Sequence, residues 1–203
     1  MFDTLLNSYS NTPHIQIVLE LICFVLGILS VWYARKENIL VYPTGLISTA
    51  ITVYLLYLTN DIGNMLVNAY FSLMSIFGWY NWKFGRSEGQ AELVVSRTNL
   101  YQKGFGVLIG LVTFIMIYYI YDFFSITIDA LTYIDLLTTA IFFTAMWYMA
   151  LKKLESWTLW TIGNLIVIPL FVYRNLLLLS LQYTILTFLA ISAYFEWKKS
   201  LKK

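Results

Sequence analysis

The chain has one cysteine, Cys23, and one histidine, His14, so it can form neither an intrachain disulfide nor a thiolate or histidine-built metal cluster. Charge is scarce as well: only 12% of residues are Asp, Glu, Lys or Arg, against roughly a quarter in soluble domains. No basic run interleaved with aromatics is present, which argues against a nucleic-acid partner. There is no Gly-x-Ser-x-Gly elbow, no phosphate loop ending in Gly-Lys-Ser/Thr and no His-Glu-x-x-His. Nothing points to ATP hydrolysis, a cofactor or a metal. An intramembrane enzyme would need a reactive constellation, and only Glu20 and Asp135 could offer one. The first 14 residues carry Asp3 but no Lys or Arg, a poor signal-peptide start, so the first apolar segment is expected to remain as a helix.

What the chain has in excess is apolar and aromatic surface. Hydrophobic residues make up 60% of it, and 16 Tyr and 7 Trp suit a protein with two water–lipid boundaries. Apolar runs long enough to cross a bilayer lie at about residues 15–34, 39–58, 62–82, 104–121, 130–151, 157–173 and 176–197. The charges test this count. With seven spans, Arg35, Lys36, Lys83, Arg86, Arg97, Lys103, Lys152, Lys153, Lys198, Lys199, Lys202 and Lys203 all fall on one side. Of the 13 basic residues, Arg174 alone falls on the other. The positive-inside rule then puts the N-terminus outside and the C-terminus in the cytoplasm of a multi-pass protein. Residues 1–203 read as a single integral membrane domain.

The two ends of the chain resemble each other. Trp32-Tyr33 recurs as Trp147-Tyr148, Glu20 meets Asp135, and Asn81-Trp82-Lys83 meets Glu196-Trp197-Lys198, all at an offset of 115. In the second span, Glu37, Tyr42 and Gly45 match Glu155, Trp160 and Gly163 at an offset of 118. Residues of about 15–82 and 130–197 therefore read as two copies of a three-helix unit, joined by a linker loop and helix at about 83–121. A lone intervening helix makes the repeat parallel, with a substrate site expected between the halves.

Trp157, Trp160 and Asn164 are spaced to share one helical face. Two indoles and an amide facing a bundle interior suit a flat, polar, cationic solute. The plainer reading makes Trp157 an interface-belt residue and Trp160 packing. Against it, Asn164 stands well inside its span, where an unpaired amide is costly, and Gly163 allows close approach. Asn68 is a second candidate contact, with Gln182 and Tyr183 able to play a similar part. Glu20 shares a stripe with Cys23, Gly27 and Ser30 that should face the interior. Glu20 and Asp135 either line the outer entrance or act structurally, and their repeat symmetry favours structure. Trp82 falls where the belt is expected. Gly106 and Gly110 suit helix packing. Pro169 should kink the sixth span or free a carbonyl.

Glu155, Trp157, Trp160 and Asn164 form a Glu-x-Trp-x-x-Trp-x-x-x-Asn pattern that resembles the PnuC-type vitamin transporters. Asp135, Tyr42-Pro43-Thr44-Gly45 and Gly78-Trp79-Tyr80-Asn81-Trp82 match as well, and the likeness spans about residues 16–200. One departure is Ala193-Tyr194-Phe195-Glu196-Trp197, which lacks a glycine usual in the family's last helix. The resemblance implies an all-α membrane fold of two parallel three-helix bundles, related to the sugar-transporting SWEET proteins, and a homotrimer. It implies import of nicotinamide riboside by facilitated diffusion through the inner membrane, for NAD synthesis, with a cytoplasmic kinase trapping the product. Trp157, Trp160 and Asn164 would then contact the riboside. Thiamine, another flat cation, is the alternative, and wider relatives carry riboflavin or deoxynucleosides.

Overall fold

The computed structural model describes residues 13–59, 61–87, 92–124 and 127–201. Asp3, Lys202 and Lys203, and the centre of the long polar stretch, lie outside these. Among these residues seven helices follow one another: α1 His14–Arg35, α2 Val41–Leu58, α3 Ile62–Phe84, α4 Leu100–Phe123, α5 Ala130–Ala150, α6 Glu155–Tyr173 and α7 Leu177–Ser200. All but α3 are long and apolar enough to cross a membrane. With 23 residues α3 has the length, but Asn64, Asn68, Ser72, Ser75 and Asn81 dilute it.

Local chemistry sets several ends. Asp61 caps α3 through the Asn64 amide, and Asp129 caps α5 through the Thr132 amide and hydroxyl at 2.8 and 2.7 Å. Those bonds hold the Asp129 carboxyl below its ordinary range. Asn99 and Gln102 close a capping box on α4. This starts α4 earlier than its apolar run suggests and shortens the polar stretch before it.

Helix α2 packs on α1 and α3, and α6 packs on α5 and α7. Between these groups, α1 meets α7 and α3 meets α5, while α4 lies chiefly on α5. Gly106 takes part in that last contact, where the Thr144 hydroxyl donates to its carbonyl at 3.1 Å.

The turn after α1 and the turn after α5 make the same bonds, 115 residues apart. Asn38 N–H reaches Tyr33 O, and Lys153 N–H reaches Tyr148 O, both at 2.9 Å. Tyr42 N–H reaches Ile39 O, and Trp157 N–H reaches Leu154 O, both at 3.2 Å. Glu37 and Lys152 each take the left-handed conformation, with φ of 55°. Tyr42 therefore corresponds to Trp157, not to Trp160 as the offset of 118 suggests. Three residues are nearly one helical turn, so the apolar pattern reads alike in either register, and the turn bonds decide.

Most of the largest fully buried side chains, Trp157, Trp197, Tyr42 and Leu154, gather at the end of the bundle that carries the basic residues, while Leu136 lies towards the other end. Trp82 belongs to this packing, contrary to the belt expectation. Its indole N–H donates to Met149 O at 3.1 Å, and its ring lies against Tyr42 and Trp197. Asn81 beside it donates to Ala150 O at 2.8 Å.

Candidate functional site

A cavity of about 190 Å³ lies between the two helix groups, nearer the basic end. Helices α1, α2 and α3 line it with Gly27, Ser30, Tyr42, Gly45, Ser48, Thr49, Phe71 and Ser75. Helices α5, α6 and α7 line it with Met146, Met149, Trp157, Trp160, Asn164, Tyr183 and Leu186. Among the described residues, helix α4 contributes nothing, and no Asp, Glu, Lys, Arg or His lines the cavity.

The sequence-predicted trio is thus brought together, but its members differ. Trp160 is a wall. Its ring stacks on Phe142 at 5.2 Å between centroids and leans on Phe71 at 6.0 Å. Trp157 is only 1% exposed and sits edge-on to Trp197, at the foot of the cavity. Asn164 is 2% exposed. A Cβ at Gly163 would overlap the Phe142 ring, so that glycine is what lets α6 seat Asn164 and Trp160 against α5.

The first three helices present hydroxyls. Ser30 donates to Val41 O, Ser48 to Cys23 O and Ser75 to Phe71 O, at 2.8, 3.0 and 2.8 Å. Thr49 pairs with Ser72 at 2.8 Å. Because the three serines spend their protons on backbone carbonyls, what they offer the cavity is acceptor lone pairs. Three other polar atoms of lining residues are buried without a partner in the protein: Asn164 Oδ1, Trp157 Nε1 and Tyr42 OH. Buried polar groups are normally satisfied, so an acceptor, a donor and a hydroxyl without partners on residues of one cavity are departures from the rule.

Asn68 is not among the lining residues. It lies on the face of α3 that carries Phe71 and Ser75, but one turn beyond them, and its amide donates to Asn64 O at 2.9 Å. Asp135 also lies away from the cavity. Its two oxygens accept from Arg174 at 3.2 and 2.7 Å, tying α5 to the end of α6. Glu20 is half-buried on α1 and does not line the cavity. Gly27 and Ser30, from the same stripe, do line it, and Tyr183 joins them from α7. Sequence reading missed Phe71 and Thr49, which line the cavity, and Phe142, which backs Trp160 without lining it. The register supplies the signal: Phe142 corresponds to Gly27, Gly163 to Ser48 and Asn164 to Thr49, all at 115. Where the first half sets glycine beside serine, the second sets phenylalanine beside glycine.

The geometry has counterparts in known proteins. The family model described as nicotinamide mononucleotide transporter matches residues 17–199. The nicotinamide riboside transporter PnuC of Escherichia coli is 26% identical over 209 residues, covering 91% of this chain and 87% of that one. The PnuC of Haemophilus influenzae is 28% identical over 197 residues, covering 97% and 85%. A crystal structure of the vitamin B3 transporter PnuC superposes with a TM-score of 0.72 at 24% identity, over 96% of this chain and 86% of that one. That structure shares the all-helical fold, and the family match runs through every helix that builds the cavity. The chain is a multi-pass membrane transporter, not an enzyme, and belongs to the nicotinamide mononucleotide transporter family, that of the PnuC proteins.

Proposed function

We propose that this protein carries nicotinamide riboside across the inner membrane by facilitated diffusion, for NAD synthesis. The observation that carries the reading is the cavity's division of labour. One part of the wall is aromatic, Trp160 backed by Phe142 with Phe71 beside it, and another is a bank of serine and threonine hydroxyls. A pyridinium ring suits the first through cation–π contact, and sugar hydroxyls suit the acceptors of the second. Asn164 Oδ1 would accept from the carboxamide and Trp157 would close the foot of the site.

The same cavity argues against the mononucleotide named in the family description. A phosphate would enter it with no lysine, arginine or histidine to pair with. Burying an unpaired anion is prohibitive. Thiamine is a flat cation too, and the uncharged aromatic walls do not exclude it.

The basic end is proposed as cytoplasmic, with the N-terminus outside. Two parallel three-helix repeats of the SWEET-related kind, rocking about the cavity, would alternate access, and the matched turn bonds support such a pairing. Asn68 would then stand on the path towards the outer end, and Glu20 and Asp135 would be structural. A homotrimer and a trapping cytoplasmic kinase complete the reading, since diffusion alone would only equilibrate the solute.

Calorimetry on the purified protein tests it, with nicotinamide riboside, thiamine and nicotinamide mononucleotide side by side. Binding of the riboside alone, lost in Trp160→Ala, is the expected result. Thiamine binding without riboside binding would move the substrate, and tight mononucleotide binding would refute the argument from the uncharged walls.

A further inference from the structure

At the foot of the cavity lies a layer of four rings that the register duplicates. Tyr42 meets Trp82 edge-on at 5.2 Å and 90°, and Trp157 meets Trp197 at 5.3 Å and 88°. Each pair joins the second and third helix of its own half. The two halves then interlock. Trp82 N–H donates to Met149 O at 3.1 Å, and Trp197 N–H donates to Ala34 O at 3.0 Å. Donors and acceptors are both related by 115, so one bond is the other repeated with the halves exchanged. The Trp82 and Trp197 rings touch at 5.9 Å across the boundary.

The turns at the same end meet as well. Glu37 and Lys152 are equivalent residues, both left-handed, and they pair with each other at 3.2 Å. Equivalent positions in two related halves touch only close to the axis that relates them. Identical charges there would repel, and this chain carries one of each sign. Both are fixed further: Glu37 accepts from the Ser200 hydroxyl at 2.7 Å, and Lys152 donates to Leu93 O at 3.1 Å. Arg35 and Glu196 add a second ion pair between the halves at 3.0 Å.

We propose that this layer is the gate at the basic end, with the four rings as its seal and the Glu37–Lys152 pair as its latch. The proposal rests on the transport reading but not on which solute is carried. Opening to this side parts α1 from α7 and α3 from α5. That breaks the two tryptophan bonds and the ion pair together, which makes the gate open as one unit.

Labelling tests this without any solute. In a Cys23→Ser background with Ala190→Cys in the cavity wall, a membrane-impermeant maleimide is added at the basic end of vesicles of defined orientation. Glu37→Gln and Lys152→Met should each raise the labelling rate roughly twofold to fivefold, the upper part of the range for losing one ion pair near the surface. Lys152→Arg, which keeps the charge and the donor to Leu93 O, should return it to the parent rate. Parent rates in both single variants would overturn the latch. A second arm places Glu37→Cys and Lys152→Cys in the Cys23→Ser background and joins them with a bis-methanethiosulfonate linker. Uptake of labelled riboside should stop on linking and return with reductant, and uptake at the unlinked rate while joined would overturn the gate. Failure of the Cys23→Ser parent, with Glu37 and Lys152 intact, to take up riboside would instead count against the proposed substrate, with the labelling arm still deciding the gate.

Discussion

Among the described residues Asn164 supplies the one carboxamide lining the cavity, and its oxygen has no partner among them. Asn164→Ala should therefore leave the fold in place and weaken riboside binding by about 1–3 kcal/mol, the worth of a lost hydrogen bond in a buried polar site. Calorimetry would read this as roughly a 5- to 150-fold rise in Kd. Gly163→Ala is a different kind of change. Its methyl would collide with the Phe142 ring, which stacks on Trp160, so the thermal midpoint should fall along with binding. Pairing it with Phe142→Leu should recover part of the midpoint, because the shorter side chain makes room. At this scale the tryptophan–asparagine trio was legible because an amide deep in an apolar run asks for a reason. Phe71 was not, since an aromatic residue among many carries no signal until its neighbours are known, and Phe142 becomes legible only once the turn bonds fix the register of 115. Asn68 shares the helical face of Phe71 and Ser75 but does not line the cavity, because depth along the helix is not written in periodicity.

The segment between α3 and α4 shows the same limit for whole elements. Its polarity reads as a loop, yet residues 92–99 dock on the α5–α6 turn. Ser96 N–H bonds Lys152 O, Leu154 N–H bonds Ser96 O, and Thr98 N–H reaches Glu155 Oε2, at 3.2, 2.9 and 2.9 Å. Lys153 donates to the Ser96 hydroxyl at 2.7 Å, and its partial burial lowers the ammonium pKa. Val95 is inserted among the rings around Trp157 and Trp197. Val95→Ala should cost about 1–2 kcal/mol as a large-to-small change in a packed core. For a chain of this size that is a fall of roughly 2–8 °C in the thermal midpoint, measurable by scanning fluorimetry in detergent. A midpoint equal to the parent would mean that the segment lies on the turn without supporting it. The seven helices themselves were legible because bilayer-length apolar runs and one-sided basic residues leave little freedom. Their ends were less so, because caps such as Asn99 with Gln102 lie in polar sequence outside the runs.

For the molecule as a whole, a cavity without charge and a cationic solute have a consequence that no single residue controls. None of the lining side chains can take up or release a proton at neutral pH or serve as a carboxylate site for sodium. The only charge moved in one cycle is then the solute's own. An inside-negative potential of 100 mV would favour a monovalent cation inside by about 2.3 kcal/mol, or roughly 50-fold at equilibrium. In proteoliposomes holding the purified protein, a potassium-diffusion potential of that sign should raise riboside accumulation towards this ratio. A pH or sodium gradient of equal energy, applied with the potential clamped at zero, should leave the inside and outside concentrations equal. Accumulation driven by either gradient at zero potential would require a coupling ion. The cavity has no group to hold one, so the carboxylates away from it, Glu20 first, would then have to enter the transport cycle.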